Sequence, residues 1–167
     1  MTAEELWQAF LRYDVQTAGF RKQRGNRTPV LDGSFTWGDS PQAIEDMLDA
    51  VIAGTCTARI FGLRAWQRLG EPVPTAGHCR VLLNARGEAV CIIRSERSYL
   101  VALRDIREEW ALREGRDPSF FAWKQRVRDE LLRDAAETRQ PFSMHQLMAV
   151  DLFTVAYYER DEKEQLF

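Results

Sequence analysis

The stretch Thr36 to Phe61, TWGDSPQAIEDMLDAVIAGTCTARIF, constrains the fold more than any other. Asp39 or Ser40 can accept a hydrogen bond from the free N–H groups of a first helical turn. Pro41 suits the first helical position, because its missing N–H would be unpaired there. Ile44, Met47, Leu48, Val51 and Ile52 recur at helical spacing and form one apolar face. Glu45, Asp46 and Asp49 face mostly the other way. Gly54 can take the positive φ that ends a helix. The small polar run Thr55-Cys56-Thr57-Ala58-Arg59 follows at once and enters a strand. A rigid element therefore holds these short polar groups, and chemistry is expected there first.

The rest of the chain alternates helix and strand signals. Residues 3–13 (AEELWQAFLRY) predict an amphipathic helix with Leu6, Trp7, Phe10 and Leu11 on one side. Arg21 to Arg27 holds four cations, no acid, a glycine and an asparagine, and reads as a basic loop that is either solvated or anion-binding. Thr57 to Leu63 is extended, and Leu69 to Gly77 is a proline and glycine loop. Cys79 to Leu83 and Glu88 to Arg94 form a hairpin around Asn84-Ala85-Arg86-Gly87. Tyr99 to Leu103 is a further short strand. Arg104 to Arg113 predicts a helix that stops at Gly115. A second helix starts at Asp117-Pro118, carries Phe120, Phe121, Trp123, Val127, Leu131 and Leu132, and runs to about Thr138. Met148 to Glu159 is the final strand, and the charged tail 160–167 frays. Repeats and long linkers are absent, so the chain reads as one α+β domain over 1–167.

Composition narrows the function. The 167 residues suffice for one domain with a real core. A net charge of -2 gives no whole-molecule basic field, so nucleic-acid binding needs a local patch. No apolar run reaches the roughly 20 residues that span a bilayer, and the first ten residues lack a signal-peptide pattern. Cys56, Cys79 and Cys91 are odd in number and form no C-x-x-C pair. Neither a zinc site nor a disulfide framework is expected, and a cytoplasmic location fits. His78 and His145 lack metal-ligand spacing. No metal or cofactor is implied, and no glycine-rich phosphate loop is present.

Several segments in order carry a family resemblance. A helix enters through Trp37-Gly38-Asp39-Ser40-Pro41 and leaves through Ala53-Gly54. A strand, Gly70-Glu71-Pro72-Val73-Pro74-Thr75-Ala76-Gly77 and a hairpin ending in Cys91-Ile92-Ile93-Arg94 follow. Glu114-Gly115, an aromatic helix around Trp123 and a strand with Asp151-Leu152-Phe153 complete the order. From Leu6 to Val155 the chain resembles the ASCH domain family, in its bacterial branch with a W/F-G-D-S-P helix entrance. The resemblance implies a PUA-like β-barrel with helices packed around it. It also implies binding of RNA or nucleotides. Some members hydrolyse acetylated cytidine, and some have been proposed as ribonucleases. Their signature is Gly-x-Lys-x-x-Glu-x-Arg, with Thr at the third named position in amidohydrolases. Gly54 matches it, but Cys56 stands in place of the lysine, Arg59 in place of the glutamate or threonine, and Phe61 in place of the arginine. Glu114 matches the acid of the hydrolases.

Two chemistries follow. Hydrolysis would use Glu114 as general acid–base, with Thr57 or Cys56 as a displaced nucleophile. Cys56 would need a favoured thiolate, with Arg59 or Arg64 as the nearby cations. Binding would use Arg59, Arg64, Arg94 and Arg97 for phosphates and Trp37 for a base, since a guanidinium grips phosphate with two prongs. Each residue also has a bland assignment: Trp37 in the core, Cys56 as a small buried side chain, the arginines in surface ion pairs, Glu114 as a helix-end acid. RNA or nucleotide binding is the expected function. A hydrolase of modified nucleosides or RNA is the alternative, and a non-catalytic interaction protein with a degraded site is a third.

Overall fold

The computed structural model describes residues 1–16 and 28–159; the basic loop Arg21 to Arg27 and the tail 160–167 lie outside the described residues. Among the described residues the helices are α1 (Ala3–Gln16), α2 (Pro41–Ala53), α3 (Leu63–Leu69), α4 (Glu108–Arg113) and α5 (Phe120–Thr138), with a 3-10 turn at Leu103–Asp105. The strands are β1 (Val30–Thr36), β2 (Ala58–Gly62), β3 (His78–Leu83), β4 (Ala89–Ala102) and β5 (Leu147–Tyr158). They form one mixed sheet in the order β1-β3-β4-β5-β2. β1 runs parallel to β3, while β3–β4 and β2–β5 are antiparallel. The fold is α+β, but the expected barrel is not closed: β1 and β2 are the two edges, and among the described residues no ladder joins them.

By contact density the chain divides into two compact units. One draws on Met1–Ile52, Gly77–Arg94 and Thr154–Phe167. Its N-terminus is fixed by a capping box: Thr2 N–H donates to Glu5 Oε2 at 2.9 Å, and Glu5 N–H donates to Thr2 Oγ1 at 3.1 Å. α1 then lays Leu6, Trp7 and Phe10 on Cys79, Val81 and Ile92. Of the two caps expected for α2, Ser40 serves, with Oγ accepting from Ala43 N–H at 3.1 Å. Asp32 is the extra residue of a bulge in β1, and its carboxylate meets His78 Nδ1 at 2.9 Å.

The other unit comprises Ala53–Ala76 and Ser95–Phe153. Its core gathers alternate residues of β2 and β5, Ala58, Ile60, Met148, Val150 and Leu152, under Trp110, Trp123 and Val127 of α4 and α5. Tyr99 stacks on Trp110 at 4.6 Å between centroids. Leu103 and Arg104 N–H donate to Gln146 and Met144 C=O, so the expected helix from Arg104 starts later, at Glu108. α5 is capped by Ser119, whose Oγ accepts from Ala122 N–H, and not by Asp117.

Candidate functional site

The turn after α2 places the polar run. Gly54 ends the helix at φ 79°, and the chain enters β2 at Ala58. Cys56 is fully buried with its thiol against Ala58 C=O at 3.6 Å, and burial pushes that thiol up to about 12. A thiol in that state is a poor nucleophile. Thr57 is tied to Arg113: its Oγ1 accepts from Arg113 Nε at 2.9 Å, and its N–H donates to Arg113 C=O at 2.8 Å. It has a cation beside its hydroxyl, where a nucleophile needs a base.

Glu114 is 2% exposed. Its Oε2 accepts from Ile60 N–H of the edge strand β2 at 3.1 Å. Its Oε1 accepts from Trp123 Nε1–H at 2.6 Å and from Arg126 Nη2 at 3.2 Å. Burial pushes the carboxyl above its ordinary range, and those three donors pull it back. Arg126 is held in turn by Asp117 at 2.9 Å and Glu130 at 3.1 Å, which raises its own pKa against the opposing effect of burial. The carboxylate thus takes up a backbone N–H on the edge strand and fastens that strand to α5. Asp117, Trp123 and Arg126 are the partners that the sequence did not disclose. An acid pair three apart with an arginine on the next helix was the available signal.

Arg59 engages a different side of β2. It is 2% exposed, and alternation puts it with Phe61, away from the Ala58 and Ile60 side. Its Nη1 donates to Glu71 Oε2 at 2.8 Å. The guanidinium carbon lies 4.3 Å from the Trp66 ring centre and 4.6 Å from that of Phe61. Cys56, Thr57 and Glu114 are therefore neighbours, while Arg59 and Glu114 do not share a cleft.

The remaining expected contacts scatter. Trp37 is buried and tilts against Phe35 at 6.4 Å between centroids, as a core tryptophan does. Arg94 is half-buried and pairs in register with Cys79 in the first unit. Arg97 is exposed in the second. Neither makes an ion pair among the described residues.

Arg64 is placed otherwise. It borders a groove of about 490 Å³ between α3, α5 and the segment before β5. Phe61, Leu131 and Leu147 contribute apolar surface to it, over the buried Val127 and Met148. Gln67, Gln140 and Gln146 contribute amides. The acids on its wall are engaged: Glu130 holds Arg126, and Asp134 pairs with Arg68. Arg64 is exposed and has no carboxylate partner among the described residues. The groove falls within the size of small-ligand sites, about 300–1,000 Å³.

An open five-stranded mixed sheet with helices packed on it makes this a protein of the α+β class. The chain belongs to the ASCH domain family, which matches over residues 33–157. Its structure is similar to that of an ASCH domain from Lactobacillus crispatus JV V101, at 20% identity and a TM-score of 0.73, covering 93% of this chain and 94% of that one. It is also similar to protein EF3133 from Enterococcus faecalis V583, at 20% identity and a TM-score of 0.64, covering 95% and 94%. At that identity the shared property is the fold. No curated protein matches. No helix among the described residues is long and apolar enough to cross a membrane.

Proposed function

We propose that this protein binds single-stranded RNA, with one unstacked nucleotide seated in the groove between α3 and α5. The observation that carries this reading is Arg64, an exposed guanidinium without a described carboxylate partner at the rim of that groove. The apolar surface of Phe61, Leu131 and Leu147 suits the face of a base, and the glutamine amides suit its edge. Arg64 takes the phosphate, and the exposed Arg97 does not border the groove. Membership of the ASCH family, whose members are thought to bind RNA, points the same way. Trp37, buried in the core, takes no part, and Arg94 does not border the groove.

The hydrolase reading has one observation in its favour: burial raises Glu114, as a general acid requires. Against it, both Glu114 oxygens are occupied, the Cys56 thiol is neutral, and Thr57 faces a guanidinium. Binding of a short fluorescent RNA to the full chain, followed at several salt concentrations, tests the choice. Affinity should fall with salt, and Arg64→Ala should weaken binding about tenfold. That variant should also flatten the slope of log K against log salt by about 0.7, the share of one single-strand phosphate. Salt-independent binding, or an Arg64→Ala variant that binds like the parent, would sink the proposal. Product formed from the RNA or from acetylcytidine would favour the hydrolase instead.

A further inference from the structure

The rows of α5 that enter the groove continue beyond it. Leu131 and Ala135 line the groove. Lys124 stands seven residues before Leu131, and Arg128 seven before Ala135, which is two turns along the same row of the helix. Phe121 in turn stands seven before Arg128. Toward the N-terminus of α5 the groove's own rows thus become an aromatic ring and two cations. All three side chains are exposed, Phe121 at 71%. The cations lack the partners that a surface helix normally supplies. No acid stands three or four residues from either of them, in either direction. They are themselves one turn apart, a like-charge spacing that repels. Neither forms an ion pair among the described residues. Of the nearby acids, Glu130 holds Arg126, and Asp129 stands about 100° round the helix from Arg128. The Lys124 ammonium lies 4.2 Å from the centre of the Phe120 ring, a contact that leaves its charge in place.

We propose that this flank of α5 is a second nucleic-acid contact: a single strand leaving the groove lays its phosphates on Lys124 and Arg128 and stacks a base on Phe121. The inference rests on the RNA-binding reading of the groove and gives it a length requirement, because the ring takes a different nucleotide from the groove. A polyanion relieves the repulsion between the two cations. Every base offers a π face to an exposed ring, so the contact adds affinity without choosing a sequence. A protein segment would have to bring acids in step with the cations and an apolar group onto the ring. A single strand carries both chemistries in every nucleotide.

Binding of a uridine octamer and of 5′-UMP to the full chain tests the flank, because only the octamer reaches both contacts. The octamer should bind more tightly than 5′-UMP, and Phe121→Ala should shrink that advantage about tenfold, the share of one base–aromatic stack. Phe121→Tyr keeps the ring and should restore it. Phe121→Leu is apolar without a π face and should not. The double variant Lys124→Gln/Arg128→Gln should lower the slope of log K against log salt by about 1.4, the share of two single-strand phosphates. All these changes fall on exposed positions, and unchanged melting curves check that the fold persists. Octamer affinity and salt slope like the parent's in either the Phe121→Ala or the double variant overturn the proposal. So does recovery with Phe121→Leu, which would mark a merely apolar contact of the kind a protein partner makes. If Arg64→Ala weakens the octamer and the α5 variants do not, the flank falls and the groove stands. If the α5 variants weaken it and Arg64→Ala does not, the flank stands and the groove reading falls.

Discussion

At the scale of single residues, Glu114 shows how a matched motif position can carry a structural task. Its carboxylate has three donors, from the Ile60 backbone, the Trp123 indole and the Arg126 guanidinium. Hydrogen bonds to a charged group contribute about 1.5–3 kcal/mol each where they are well made. An amide cannot satisfy this set. Glu114→Gln can turn its oxygen toward Trp123 and Arg126, but its NH2 then opposes the Ile60 N–H, donor against donor. The expected result is a loss of about 1–3 kcal/mol in urea unfolding, the range for buried groups left unsatisfied. RNA affinity measured well below the melting temperature should be unchanged. A stable Glu114→Gln protein that had lost an enzymatic activity would instead restore the catalytic assignment. The sequence disclosed an acid at a helix end that matches the acid of the hydrolases, but none of its partners. The Ile60 contact joins residues 54 apart, and helical or strand periodicity carries no information about such a pair. The same holds for Arg59: its position on β2 beside Phe61 was legible, but Glu71 and Trp66 reach it from outside the local pattern.

At the scale of elements, legibility followed the strength of local punctuation. α2 was readable because Ser40, Pro41 and Gly54 mark both its ends. β3, the start of β4 and β5 were readable from apolar β-rich runs around clear turns. β1 was not, because Asp32 and Gly33 interrupt the run at a bulge, and alternation cannot survive an extra residue. α3 spans only seven residues, too few for a periodic stripe, and appeared as the end of a strand and the start of a loop. The polar run Ser95-Glu96-Arg97-Ser98 concealed that β4 is one strand of 14 residues. Between α4 and α5 the geometry makes a firm demand. Gly115 has φ +69°, and a Cβ there would stand 2.2 Å from Thr55 C=O. The left-handed conformation costs an alanine about 1–2 kcal/mol, and a backbone overlap adds to it. Gly115→Ala should therefore destabilise the protein by about 3 kcal/mol or more, measured as a lower urea midpoint. Because Gly115 adjoins Glu114, the shift that relieves the overlap also moves the acid off the edge of β2. A loss below about 1 kcal/mol would show that the close approach to Thr55 is not needed.

At the scale of the whole molecule, the three cysteines make stability depend on alkaline pH. Burial pushes Cys56 and Cys91 up to about 12 and Cys79 to about 11, from an ordinary 9.0. The sign follows from proton counting. Below about pH 8 the thiols are neutral in both folded and unfolded chains, and they contribute no pH dependence. Above 9.0 the unfolded chain releases these protons while the folded chain keeps them, so the native state binds more protons and its stability falls as pH rises. Each fully divergent thiol contributes a slope of about 1.4 kcal/mol per pH unit. Urea unfolding should give a flat profile from pH 7 to 8 and a steepening decline from 9 to 10.5. Tyr157, raised by desolvation and by Glu159, acts in the same direction at higher pH, so one thiol has to be isolated by difference. Cys91→Ala will be less stable throughout because it leaves a gap in the core, but its slope above pH 9 should be shallower by up to that single-thiol amount. Equal slopes in parent and variant would mean that the Cys91 thiol ionises as readily folded as unfolded. The same burial predicts that a thiol reagent at pH 8 labels none of the three in the folded protein and all of them in urea. Rapid labelling of Cys56 alone would reveal an accessible thiolate in the turn before β2, and the nucleophile set aside for its burial would have to be reinstated.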